Sequence, residues 1–257
     1  MLAAADNHSE SFRHFVDKWQ AREPEMVIAE VFCAMAARPR FQAWGALLHE
    51  LREALFELSD PRVTAIKCSW WAEEIISLAQ GGSRHPVTAE FVGSSAPWSE
   101  LGRCLLEASV IEARPGTTPE AIDTLLPLAR AIVSVEAVVF AAPTDEQAAR
   151  ALVVHWLLSR LPKGLEMEDR ARIPMHLFAR HGLVPGAWDA GQGAAALRDW
   201  SAELAQVLPI DTNSAMFRRA QTCFDRARLR RIAAAKGFAA PPALATLWRA
   251  WRAARAG

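Results

Sequence analysis

Asp60-Pro-Arg-Val-Thr-Ala-Ile-Lys-Cys-Ser-Trp-Trp-Ala-Glu-Glu-Ile-Ile-Ser-Leu-Ala-Gln-Gly-Gly-Ser-Arg-His-Pro-Val-Thr88 is the stretch whose reading decides the fold. Asp60 can accept from a free helical N–H, and Pro61 fits a first turn. The helix that starts there is predicted to run to about Gln80, where Gly81-Gly82 stops it. Helical spacing puts Val63, Trp70 and Leu78 within one third of the circumference, with Trp71 beside Leu78 and Glu74 between Trp70 and Leu78. A carboxylate inside an aromatic stripe has to be paired or has to face a cavity. The plain expectation is a bond to a neighbouring Arg.

The same periodicity extends in both directions, with no convincing strand. A short helix is expected over 9–20. A second opens at Pro24, apolar through Val27, Val31 and Met35. A third opens at Pro39 and reaches about Leu58, with Trp44, Leu47, Leu48, Leu51, Leu55 and Leu58 on one face. Further helices are expected from about Pro97 to Ala113, and from Thr118 to Ala141. Another starts at the capping-box spacing Thr144-Asp-Glu-Gln147 and ends before Pro162. Residues 162–172 read as a polar loop. A helix from Pro174 stops at Gly182, one ends before Pro209, one is capped by Asn213 and reaches Lys236, and the last spans 243–255. The expectation is an all-α, single-domain bundle of about ten helices over residues 1–257.

Composition narrows function. The 257 residues carry 29 basic and 29 acidic side chains, so no overall field draws nucleic acid to the chain. The four cysteines, Cys33, Cys68, Cys104 and Cys223, show no metal-ligand spacing, and reduced thiols in a cytoplasm are expected. No apolar run approaches the ~20 residues that span a bilayer, and the N-terminus does not read as a leader. There are ten Trp and no Tyr, which rules out chemistry that needs a phenol. No Gly-rich phosphate loop or nucleophile elbow is present. The histidines, His49 and His155 among them, have no metal-ligand spacing.

Trp70-Trp71-x-Glu73-Glu74-Ile75 with Arg84-His85-Pro86-Val87-Thr88, and the later block Arg170-Ala-Arg-Ile-Pro-Met-His-Leu-Phe-Ala-Arg-His-Gly-Leu183, resemble the squalene/phytoene synthase family. The blocks come in the family's order, and matches extend over about 25–235. The resemblance implies an isoprenoid (trans-prenyl) synthase fold with a central apolar cavity. It also implies head-to-head joining of prenyl diphosphates, with two Asp-rich motifs holding Mg²⁺ against the diphosphates.

Both motifs are altered. Where the resemblance puts the first, the sequence reads His49-Glu-Leu-Arg-Glu-Ala-Leu-Phe-Glu57. Glu50, Glu53 and Glu57 share a face opposite the leucines, read as a solvated acidic face; Glu50 and Glu53 are the alternative metal ligands. Where the second is expected, Trp156 and Arg160 replace the family's Asn and Asp. A guanidinium at that point repels a divalent cation. Arg172 stands where many members have Tyr, and Ala72 where many have Arg. Residues 47–71 also resemble a non-catalytic branch that includes an assembly factor for mitochondrial complex I.

The C-terminal residues 216–257 hold ten Lys or Arg and one acid, Asp225, so the rest of the chain is net acidic. In the basic helix 237–257, Leu244, Leu247, Trp248 and Trp251 lie near one face, with Arg249 and Arg252 turned away. The plain expectation is that this face docks on the bundle and leaves a solvated basic face. The other is peripheral contact with an anionic inner membrane.

The sequence therefore predicts a degenerate family member with no catalytic residue and no cofactor. It would bind an isoprenoid or lipid, or act on a protein partner in assembly. Its candidate ligand residues are Trp70, Glu74, Trp156, Arg160, Arg170 and Arg172. The alternative is an active, Mg²⁺-dependent prenyltransferase with displaced acidic ligands Glu50, Glu53, Glu74 and Glu136.

Overall fold

Local signals start or stop several of the helices. In the computed structural model, which describes residues 2–161, 165–166, 173–184, 186, 190–210, 213–237 and 242–255, the Asp60 carboxylate accepts from the Arg62 backbone N–H at 2.8 Å, and Pro61 occupies the first turn. Thr117 and Asp145 cap two later helices in the same way. Gly182 ends another at φ 62°, a left-handed conformation that an L side chain resists.

Among the described residues there are eleven α-helices and no strand. They are α1 (Leu2–Arg22), α2 (Pro24–Glu30), α3 (Arg38–Phe56), α4 (Pro61–Leu78), α5 (Trp98–Ser109), α6 (Thr118–Val139), α7 (Glu146–Ser159), α8 (Met175–His181), α9 (Ala190–Val207), α10 (Met216–Ala233) and α11 (Ala243–Arg255). No described helix is long and apolar enough to cross a membrane. Chain neighbours α4–α5, α5–α6 and α6–α7 pack together, α10 meets α7, α9 and α11, and α1 lies across α3.

Two glycines set close approaches. A Cβ on Gly45 would overlap the Trp19 indole, so Gly45 lets Trp19 lie flat on α3. A Cβ on Gly102 would sit 2.6 Å from Ile76 Cγ1, so it lets α5 press against α4.

The buried apolar side chains form one connected core. Trp19, Trp44, Trp71, Trp98, Trp156 and Trp200 are all fully buried in it. Rings run through the centre of the bundle: Trp19 stacks on Phe217 at 6.0 Å, Phe217 on Phe140 at 6.3 Å, and Phe140 meets Trp44 edge-on. Each such pair adds about 1 kcal/mol beyond its burial.

Several expectations are corrected. The first helix begins at Leu2 rather than 9. Val27, Val31 and Met35 face outward, because Met26 and Ala29 form the buried side of α2. On α4 the buried stripe is Thr64, Cys68, Trp71, Ile75 and Leu78, while Val63 and Trp70 are exposed. Asp145, not Thr144, caps α7, and Ala215, not Asn213, precedes α10. Most of the 162–172 loop lies outside the described residues.

Candidate functional site

The first candidate position is the acidic face of α3. It is not solvated. The long α1 lies over it and brings Lys18, and α4 brings Lys67 from the other side. Lys18 Nζ is 2.8 Å from Glu50 and 2.5 Å from Glu53; Lys67 Nζ is 2.9 Å from Glu53 and 4.0 Å from Glu50. Glu50 is buried and Glu53 partly buried. Burial opposes charge on Glu53, but hydrogen bonds and charge from the two lysines outweigh it and hold its carboxyl at about 2. The Lys18 ammonium is in turn raised, against its own desolvation, by Glu50 and Glu53.

His49, Glu50 and Glu53 do bring three potential ligand atoms within 4.8 Å of one another. The donor set nevertheless does not fit Mg²⁺. That ion wants near-octahedral oxygen ligands, and here the carboxylate oxygens already hold two ammonium groups. His49 Nδ1 takes a hydrogen bond from Arg52 at 2.9 Å, and burial and the Arg52 charge drive its pKa down to about 4.

The second position is the end of α7. Trp156 is buried edge-on against Phe56 of α3, with ring centroids 5.8 Å apart. Arg160 is buried at the carbonyl end of α7, where a cation meets the negative end of the helix dipole. The side chains that α3 and α7 turn toward each other are Leu48 and Arg52 against Leu152, His155 and Trp156, with Trp19, Glu23, Phe217 and Gln221 closing the sides. They leave about 10 Å³, barely room for one water. At this level between α3 and α7 the described side chains are aromatic and charged and leave no room for a ligand larger than water.

His155 anchors a network that the sequence did not reveal. Its Nδ1 donates to Asp225 at 3.0 Å, and its Nε2 faces Glu23 at 3.4 Å. Glu23 also receives Arg52 at 3.1 Å and Gln221 at 2.9 Å. Arg218 bonds Gln221 and reaches Glu136 at 2.7 Å, and the Trp44 indole donates to the same Glu136 oxygen at 2.8 Å. All these polar groups are buried. Burial disfavours the charged imidazole, yet Asp225 and Glu23 outweigh it and raise the His155 pKa to about 9. The Gln221 amide nitrogen, 3.0 Å from Nε2, opposes this as a donor. Glu23 is pulled well below the usual carboxylate range, against burial, by His155 and Arg52.

Trp70 and Glu74 form a third, separate cluster. Glu74 is fully buried; Oε1 accepts from Thr88 Oγ1 at 2.5 Å and from the backbone N–H groups of Arg84 and His85, and Oε2 accepts from Arg84 Nε at 3.2 Å. These bonds keep its pKa low although burial opposes ionisation. The Arg84 guanidinium lies over Trp70, and the His85 ring sits edge-on to Trp71 and Phe15. Glu74 thus pins the turn after Gly81-Gly82 onto α4, in the paired state expected for it. The structure brings Trp70 together with Glu74, and Trp156 together with the His155 network. Arg170 and Arg172 lie outside the described residues.

Of the network members, Glu136 carried a readable signal: it stands alone among Val133, Val135, Ala137 and Val139 on α6. Asp225 carried another, as the one acid in a basic tail. Glu23 and Arg218 carried none, because their partners are remote in sequence.

No protein-family model and no curated protein matches the sequence. Among solved structures, a dehydrosqualene synthase in complex with a ligand is similar, with a TM-score of 0.62 over 96% of each chain and 11% sequence identity. The chain has the all-α trans-prenyl synthase fold of that enzyme.

Proposed function

We propose that this chain uses the prenyl-synthase scaffold without metal-dependent prenyl transfer, as a structural or assembly protein that works through its surface. The observation that carries this reading is the occupation of the two reaction positions. Lys18 and Lys67 sit on the acids of α3, where the family resemblance puts the metal. Between α3 and α7, Trp19, Trp156, Phe217 and the ion network leave room for about one water and none for a prenyl chain. A fold by itself does not specify an activity, and here the side chains argue against the fold's best-known one.

The competing reading is an active prenyltransferase working through Glu50 and Glu53. It would require both lysines to be displaced and the aromatic centre to open. An assay of diphosphate release from farnesyl and geranylgeranyl diphosphate, with and without Mg²⁺, separates the two. No Mg²⁺-dependent release is expected; release that depends on Mg²⁺ and is lost in Glu53→Gln overturns the proposal.

A further inference from the structure

The last helix docks by its small face. Thr246, Ala250 and Ala253 are buried, which lets α11 approach α10 and α2 closely. The expectation that its Trp-bearing face would dock is therefore corrected. Leu244 is 82% exposed, Leu247 43%, Trp248 55% and Trp251 41%. These four occupy i, i+3, i+4 and i+7, a continuous apolar stripe pointing away from the protein.

Beside the stripe, α10 and α11 bound a groove of about 720 Å³. Arg226, Arg230, Lys236, Arg249 and Arg252 contribute to its wall, and no acid is among the described residues that line it. Arg249 Nη1 has no hydrogen-bond partner among the described residues. The Arg252 and Arg255 guanidinium groups lie over Trp248 and Trp251, 4.9 and 5.1 Å from the rings, so cation and aromatic face outward as a unit. A groove walled by cations with no acid opposite favours an anion. A soluble anion would satisfy the arginines but would leave the Leu and Trp stripe in water. A bilayer with anionic headgroups satisfies both, because Trp favours the headgroup level and Leu the acyl boundary.

We propose that α10 and α11 form a peripheral docking surface for an anionic phospholipid bilayer. Leu244, Leu247, Trp248 and Trp251 enter the interface, and the groove arginines take lipid phosphates. This goes beyond the reading of the interior and does not depend on it.

Sedimentation of the full chain with vesicles tests it. Phosphatidylcholine vesicles containing phosphatidylglycerol should bind at least about tenfold more tightly than phosphatidylcholine alone, and added salt should weaken the binding. Arg230→Glu and Arg252→Glu should each weaken it by about fivefold or more, with helix content by circular dichroism unchanged. Leu244→Ser with Leu247→Ser should weaken it as well. A blue shift of tryptophan emission on binding should disappear in Trp248→Phe/Trp251→Phe. Equal binding to neutral and anionic vesicles, no binding, or variants that bind like the parent would overturn the proposal. Binding of inorganic diphosphate without vesicle attachment would also overturn it, since the groove would then serve a soluble anion.

Discussion

Helix α10 presents two faces built from the same residue type. On its inner face, Arg218 is buried and meets Glu136, while Gln221 and Asp225, one and two turns on, join Arg218 and His155 to the network. On its outer face, Arg226 and Arg230 line a groove without a described acid. The difference lies in what stands opposite, since a guanidinium with a carboxylate within reach orders the interior, whereas one without it leaves charge for a partner. Buried ion pairs are weak net stabilisers, because desolvation offsets their attraction, but breaking one strands a charge. Glu136 Oε1 and Arg218 Nε are themselves without hydrogen-bond partners among the described residues, so the interior network specifies an arrangement more than it adds stability.

The largest effect should come from breaking the inner face. Arg218→Ala leaves Glu136 buried with only the Trp44 indole and should cost about 3–5 kcal/mol in urea unfolding. Replacing both partners, as Glu136→Leu with Arg218→Met, should recover most of that loss. A double variant as unstable as the single one would show that packing, not the stranded charge, dominates.

Next in size is the pH response of His155. Its folded pKa, about 9, lies above the unfolded value near 6.5. The stabilisation is therefore complete below about pH 6.5 and is lost as pH rises through 9, on the order of 3 kcal/mol. Glu23, depressed in the fold, works in the opposite sense: its contribution holds above the usual carboxylate range and fades in acid. Thermal unfolding should show a falling midpoint between pH 6.5 and 9.5, flattened in His155→Gln. A flat profile in the parent would mean that the Gln221 donor keeps the ring neutral.

A smaller effect is expected at the α3 cluster. Lys67→Met should cost about 1 kcal/mol, since the pair is only partly buried, and should raise the Glu53 pKa toward the ordinary carboxylate value, readable by NMR titration. The smallest effect belongs to the outer face of α10. Arg230→Glu should change stability by no more than about 0.5 kcal/mol while reducing vesicle binding.

Sequence reading succeeded where the physics is local. Asp60 and Gly182 announce helix ends because a cap needs only its own turn. Glu74 could be read as paired because a carboxylate among aromatic residues needs a partner unless it faces a cavity, and Arg84 is only ten residues away. The α3 acids were misjudged for a different reason. A helical wheel placed Glu50 and Glu53 opposite the leucines correctly, but could not tell that α1 would lie across that face and deliver Lys18. The His155 network depends on contacts such as Gln221 with Glu23, 198 residues apart. No spacing rule reaches that far. On α11 the wheel found the stripe, but which face docks was decided by the small side chains of Ala250 and Ala253 fitting the bundle.

The central claim is that the chain's own cations and aromatic rings hold the places of metal and prenyl substrate. A crystal structure determined after soaking with Mg²⁺ and a non-hydrolysable prenyl thiodiphosphate tests it most directly. The account predicts Lys18 and Lys67 still on Glu50 and Glu53, and Trp19 and Trp156 still packed between α3 and α7. A magnesium ion bridging the soaked diphosphate to Glu50, Glu53 or Glu136 would contradict it.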